Sequence, residues 1–214
     1  MATLRSELDH IAIAAPTLAA GAARLQQVLG VAPQPGGEHT RMGTHNLLLK
    51  LGEKTYLEII AINPAAAPPG RARWFELDRL ESEQAPRLAT WIARTNDIQG
   101  AVAASTAPLG KIEPMSRGSL NWRMTVPEDG SLPLQGIVPT LIQWPDDTHP
   151  AKSLPESGCS LVRLECFHPQ ADVVKRMLES IGFEGDVTVS ALPPAERPYL
   201  VAHIDTPTGR RRLI

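Results

Sequence analysis

A short pattern occurs twice in this chain: "GTHNLLLKL" begins at Gly43 and "GSLNWRMTV" at Gly118, with glycine, a hydroxyl residue and asparagine at comparable offsets. Internal repetition restricts the fold to architectures that use one supersecondary unit more than once. The surroundings repeat as well. Residues Leu8–Ile62 read as a strand, a helix and then several strands. The helix "TLAAGAARLQQVLG" places Leu18, Ala22, Leu25 and Leu29 on one face, with Thr17 as its N-cap and Gly30 as its stop. "THNLLLKLG" and "TYLEIIAIN" follow as a hairpin across "EK".

A second unit opens at "LATWIARTND", passes through the short helix "DIQGAVAAS" and continues in "SLNWRMTV" and "VPTLIQW". A third opens at "GCSLVRLECFHP". Its helix "ADVVKRMLESIG" carries Val174, Met177, Leu178 and Ile181 on one face, and "YLVAHIDTP" and a clipped "RRRLI" complete it. The units span about 7–64, 86–146 and 158–214. The two connectors, "NPAAAPPGRARWFELDRLESEQAP" and "PDDTHPAKSLPESG", are Pro-rich and too short for flexible linkers, so one compact domain over 1–214 is expected. The first should carry a helical turn around Trp74–Leu80.

Composition narrows function mainly by exclusion. A formal net charge of −2 gives no electrostatic case for nucleic acid or an anionic membrane. No window approaches the roughly 18 apolar residues of a membrane span, and "MATLRSELDH" has no secretory apolar run, so a cytoplasmic protein is expected. Cys159 and Cys166 on one extended strand stand about 23 Å apart at roughly 3.3 Å per residue, which predicts two reduced buried thiols. There is no G-x-S-x-G, P-loop or G-x-G-x-x-G, hence no nucleotide cofactor and no nucleophile elbow.

Strand alternation makes the faces readable. In "LDHIAIAAPT", Ile11 and Ile13 suit packing under the helix, while His10, Ala12 and Ala14 share the other face and leave space there. In "TYLEIIAI", Leu57, Ile59 and Ala61 form the packing face and Glu58 lies opposite, between Tyr56 and Ile60. A carboxylate there is costly to bury unless paired or metal-bound. His10 and Glu58 thus each break an apolar run from the non-packing face.

A strand–helix–strands unit with His on its first strand and Glu on its last, followed by another such unit, resembles the vicinal oxygen chelate superfamily, specifically its glyoxalase-like branch. "GTHNLLLKLG...TYLEIIAI" is the most specific stretch. The resemblance implies an α+β fold of repeated βαβββ units, with mixed sheets curled around a central cavity and the third unit truncated. It also implies a homodimer and a divalent metal (Zn, Fe, Mn, Ni or Mg) acting as a Lewis acid on a small ligand. His10 and Glu58 match the first unit's ligand positions. The second unit departs from the pattern, with Thr90 at the His position and Gln143 near the last-strand one; Arg163 takes the His position of the third. Three protein groups usually hold a catalytic ion, so a third ligand is needed, with His45 or Gln143 the candidates and His39 or His149 further options.

Other residues have both functional and structural readings. His45 and His39 fit a site or an exposed loop, and Asn46 and Asn121 fit a site or turn hydrogen bonding. Arg94 and Arg163 share the His10 face in this alignment and would clamp an anion, or in the bland reading sit in ion pairs such as Arg163 with Glu165. Trp122 joins the substrate-binding candidates although its type favours core, and Arg117 lies near it in "SRGSLNW". Trp144 and His149 stand at a strand exit suited to a site rim. Trp74 and Phe75 fit a lid or a loop anchor.

The function expected is a glyoxalase-like small-molecule enzyme of lyase, isomerase or dioxygenase type. Its substrate would be a carbonyl or vicinal-oxygen compound, with His10 and Glu58 as metal ligands or as acid and base. A Glu58 with raised pKa would move a proton next to a carbonyl even without metal, with Arg94 or Arg163 holding the oxyanion. Two alternatives stand beside it: a metal-free protein that sequesters a small ligand, and a scaffold in which His10 and Glu58 pair in a filled core.

Overall fold

The computed structural model describes residues 3–145 and 148–214. The first unit runs β1 (Ser6–Ala14), α1 (Leu18–Leu29), β2 (Gln34–His39), β3 (Thr44–Gly52) and β4 (Thr55–Ile62). The second runs β5 (Arg87–Thr95), α2 (Ile98–Ala104), β6 (Lys111–Arg117), β7 (Leu120–Val126) and β8 (Thr140–Gln143). The third is β9 (Ser160–His168), α3 (Ala171–Ser180), β10 (Phe183–Glu184), β11 (Val187–Ala191), β12 (Tyr199–Thr206) and β13 (Gly209–Leu213).

Helix α1 forms where its caps direct it. The Thr17 hydroxyl accepts from the Ala20 N–H, and Gly30 takes the left-handed conformation (φ 75°) that ends the helix. Gly21 lets α1 sit close on the sheet, because a Cβ there would lie 2.3 Å from Cγ2 of Ile59. Ile59 is stiff and fully buried, so Gly21→Ala should destabilise the protein by about 1–3 kcal/mol through overpacking, despite its better helix propensity. A urea midpoint at or above that of the unmodified protein would contradict this contact.

Units one and two share one mixed sheet in the order β2-β3-β4-β1-β5-β8-β7-β6, with β10 added along β1. In each unit the first strand lies parallel to the last, β1 to β4 and β5 to β8, and the units join through the antiparallel pair β1–β5. The sheet curls until its outer strands β2 and β6 meet: a Cβ built on Gly37 would stand 2.9 Å from Cγ of Arg117. The segment "QPGGEH", read from sequence as part of a loop, is the edge strand β2. Its two glycines are what permit close approach, since a Cβ on Gly36 would fall 2.0 Å from Oδ1 of Asn46.

The third unit forms a separate sheet, β11-β9-β12-β13, with β9 parallel to β11 and antiparallel to β12. It covers the outer face of the large sheet, so Leu164, Cys166, Val174 and Leu200 share a core with Ile11, Ile13, Leu57, Ile59 and Leu25. The opposite face of the same strands lines the inside of the curl, where Ala12, Ala14 and Ile60 meet Trp74, Phe75, Trp122 and Met124. This α+β architecture of βαβββ units thus has one core outside its main sheet and one pocket inside it. Both cysteines are free and buried. Among the described residues, no helix is long and apolar enough to cross a membrane.

Candidate functional site

The pocket inside the curl is a narrow cavity of about 20 Å³. Strand β1 delivers His10 to it, β4 delivers Tyr56 and Glu58, the end of β2 delivers His39, β6 Arg117 and β7 Trp122. The connector after β4 closes it with Trp74 and Phe75.

His10 is set by its neighbour in sequence. Adjacent residues of a regular strand point to opposite faces. The β1–β5 register, however, shifts between Leu8 and His10, leaving Asp9 as a bulged residue, and bulges re-aim side chains. Oδ1 of Asp9 then lies 2.7 Å from Nδ1 of His10. Oδ2 of the same fully buried carboxylate accepts from Trp144 Nε1 at 3.0 Å and pairs with His149 Nε2 at 3.1 Å, with an Arg94 nitrogen 3.7 Å away. The Tyr56 ring stacks on the imidazole with centroids 4.3 Å apart. Held this way, His10 turns Nε2 toward Oε2 of Glu58 at 3.6 Å.

The other carboxylate oxygen, Oε1, accepts from the Asn46 side-chain amide. That amide has one orientation, because its Oδ1 accepts from the Gly37 N–H at 2.9 Å. Its NH₂ also faces Nε2 of His39 at 3.5 Å, and Nδ1 of His39 lies 3.1 Å from the Thr44 hydroxyl.

Burial alone would raise the Asp9 carboxyl pKa, but hydrogen bonds from His10 and His149 outweigh it and hold the group far below its ordinary range. Burial would likewise raise Glu58; the His10 hydrogen bond and charge, the proximity of His39 and the Asn46 amide bring it down to about 2. The sequence expectation of a raised Glu58 is therefore corrected: it allowed for the dry site but not for the cation opposite. Burial pulls His10 down, yet its bonds to Asp9 and Glu58 prevail and its pKa is raised. For His39 burial dominates and lowers it to about 4. Tyr56 is pushed well above its usual value by burial and by the two carboxylates, so it remains a phenol. Near neutral pH Asp9 and Glu58 are carboxylates and His39 is neutral, and the two carboxylates shift His10 toward its protonated form.

The pH dependence of stability follows. Glu58 contributes stability above its unfolded value near 4.5 that is lost as pH falls toward about 2. His39 is a depressed base, so between its unfolded 6.5 and about 4 falling pH protonates the unfolded chain first and destabilises the fold. The raised His10 works oppositely, its contribution complete below 6.5 and lost as pH rises through its folded value. Urea midpoints should fall from pH 6.5 to 3, and His39→Gln should flatten the part between 6.5 and 4. An unchanged slope in that variant would remove His39 from this account.

The sequence candidates fall into two groups. The structure brings His10, Asn46, Glu58 and Trp122 to the pocket, with His149 behind it on Asp9. It also brings His39, Trp74, Phe75, Arg117 and Trp144 there, but not His45, Arg94, Gln143 or Arg163. His45 neighbours Asn46 on β3 and so faces the opposite side of the sheet. Arg94 binds Glu7 and the Lys54 carbonyl in an outer groove. Gln143 accepts from Arg123 and the Ile98 N–H and donates to the Asn96 carbonyl. Arg163 is on β9 in the other sheet, paired with Glu165, as its bland reading had it. Sequence reasoning passed over Asp9, because strand alternation puts it on the wrong face, and Tyr56. The adjacent Asp-His pair was the available signal for Asp9.

The divalent ion implied by the resemblance does not fit these donors. Neither His45 nor Gln143 reaches His10 and Glu58, and among the described residues no three His, Cys, Asp or Glu side chains converge as metal ligands. The Asn46 NH₂ meets Glu58 Oε1 and faces His39 Nε2, directing a donor where an ion would need lone pairs. From the second unit the pocket receives Arg117, Trp122, Met124, Ile142 and Trp144, none of which is a His, Cys, Asp or Glu. Dialysis of tag-free protein against mixed Zn, Fe, Mn, Ni and Mg should leave well under one ion per chain. One retained ion per chain, lost in His10→Ala and Glu58→Gln, would restore the metal.

Comparison with known proteins agrees with this geometry. A family model described as a glyoxalase-like domain matches residues 8–182. Among solved structures, a hypothetical protein from Staphylococcus aureus superposes with a TM-score of 0.62 at 14% identity, over 97% of this chain and 98% of that one. A triple mutant of 4-hydroxymandelate synthase from Streptomyces coelicolor superposes with a TM-score of 0.53 at 12% identity, over 99% of this chain and 63% of that one. At such identities the likeness is one of fold. No curated protein matches in sequence.

Proposed function

The chain belongs to the glyoxalase-like domain family of the vicinal oxygen chelate superfamily, and from that premise we propose that it is an enzyme that moves a proton on a small carbonyl compound held in the pocket. One observation carries this reading: the Glu58 carboxylate and the His10 imidazole, whose pKa is raised, face each other at 3.6 Å inside an aromatic-walled pocket.

The substrate carbonyl oxygen takes the His10 Nε2 hydrogen in place of Glu58. Losing that donor raises the basicity of Glu58, which accepts the proton from the carbon beside the carbonyl. The C–H bond breaks, an O–H bond forms on Glu58, and the electron pair passes to the carbonyl oxygen as an enolate held by His10. Return of the proton to the same or another atom completes an isomerisation or exchange. Asp9 keeps His10 protonated and oriented, and Asn46 holds the other oxygen of Glu58.

Incubation with phenylpyruvate in D₂O, followed by proton NMR of the carbon beside the carbonyl, tests this. Exchange should exceed the protein-free rate. A second reading, a protein that sequesters its ligand without turnover, is favoured by the depressed Glu58. Ligand binding with exchange at the protein-free rate would establish it in place of the first.

A further inference from the structure

We propose that Arg117 is the anion-recognition residue of the pocket, and that the ligand is a small planar carboxylate bound by the Arg117 guanidinium with its flat face among the aromatic walls. This rests on the pocket being the ligand site, and it concerns what enters rather than what happens to it.

Arg117 ends β6 and is only 9% exposed. No carboxylate among the described residues lies within ion-pair distance of it, and no hydrogen bond from it is found to any of them. Other arginines of the region are matched: Arg41 and Arg71 share Glu113, Arg73 holds Asp78, and Arg94 holds Glu7. No Arg117 nitrogen is both fully buried and unpartnered, so the guanidinium meets the pocket's solvent with its charge unbalanced by a carboxylate, and an entering carboxylate would be its partner. The pocket's own anions are already engaged, Asp9 by His10, His149 and Trp144, and Glu58 by His10 and Asn46.

The placement is built into the fold. The Arg117 stem lies against Gly37 of β2, where a Cβ would come within 2.9 Å of Cγ, so closure of the sheet carries the guanidinium into the pocket. A buried donor without a partner stands in the same wall: Nε1 of Trp74 has no hydrogen-bond partner. An unpaired guanidinium and an unmet indole N–H in one wall both call for an acceptor from the ligand. A guanidinium fork matches a carboxylate with two parallel hydrogen bonds. Trp74 and Trp122, both edge-on to His39, and Phe75 stacked on Trp74 give the narrow cavity flat walls, which favour a thin, planar ligand over a bulky one.

Tryptophan fluorescence and calorimetric titration with benzoate, benzamide and inorganic phosphate, on protein checked for folding by circular dichroism, test the proposal. Benzoate should bind about ten- to a hundredfold more tightly than benzamide, the range for hydrogen bonds to a charged group. Arg117→Gln should abolish that preference, and Arg117→Lys, the variant held ready should the glutamine form fail to fold, should reduce it. Arg163→Gln, in the other sheet and paired with Glu165, should keep it. Equal affinities, a preference that survives both Arg117 variants, absence of binding, or phosphate bound through Arg117 in place of benzoate would each overturn the proposal. Turnover is not read here. A failed exchange assay therefore leaves this inference standing, and a failed titration leaves proton transfer to its own test.

Discussion

Asp9→Ala is expected to lower the unfolding free energy by about 3–5 kcal/mol, the cost of removing one partner from a buried charged pair. Asp9 is wholly buried, and its two oxygens serve His10, Trp144 and His149 with Arg94 nearby. The substitution orphans those donors together and leaves the His10 cation with only Glu58. For a chain of this length the loss corresponds to about 2–4 °C in Tm per kcal/mol. Asp9→Asn keeps the volume and one acceptor, so its loss should be smaller. Urea denaturation gives the measurement, read from the midpoint at unchanged slope. A loss below about 1 kcal/mol would mean that the four donors have other partners and that Asp9 does not organise the site.

Glu58→Gln is expected to reduce catalysed exchange into phenylpyruvate by about 10²–10⁴-fold, the range for a lost general base. Folding should survive, because the glutamine carbonyl can still accept from Asn46. The pH profile discriminates further. Turnover needs Glu58 ionised and His10 protonated, so the rate should hold from acid pH to neutrality and fall as pH rises through the elevated pKa of His10. Asp9→Asn, which removes the strongest support for the imidazolium, should move that falling limb to lower pH. Exchange at the unmodified rate in Glu58→Gln would end the proton-transfer reading while leaving a binding pocket. A limb that does not move in Asp9→Asn would remove His10 as its source.

Much of the site was legible because of what interrupts an apolar strand. His10 and Glu58 stand out as polar breaks on the same face of their runs, and Asn46 recurs at the turn-to-strand position of the repeat. Those signals are local, set by the two-residue period of a strand. Asp9 defeated the same rule, because a bulge overrides alternation at one position. For the arginines, the sequence left the choice between an anion clamp and an ion pair open. Arg94, Arg117 and Arg163 are equivalent as residue types, and which of them keeps an open guanidinium depends on which carboxylates the fold brings near. Glu7 takes Arg94 and Glu165 takes Arg163, while Arg117 meets neither.

The sequence by itself determined the strand–helix–strands repetition, the caps of α1, the inner and outer faces of β1 and β4, and the pairing of a histidine and a glutamate on the inner face. Each depends on residues within a few positions of one another, where backbone periodicity and capping chemistry act. Only the tertiary structure decided that β2 and β6 meet, that the third unit covers the outside of the sheet and takes Arg163 with it, and that Glu58 is held ionised instead of protonated. These depend on contacts between strands far apart in the chain. Their order is set by how the sheet curls to cover its apolar faces, and the pKa of each buried group follows from the neighbours that order supplies.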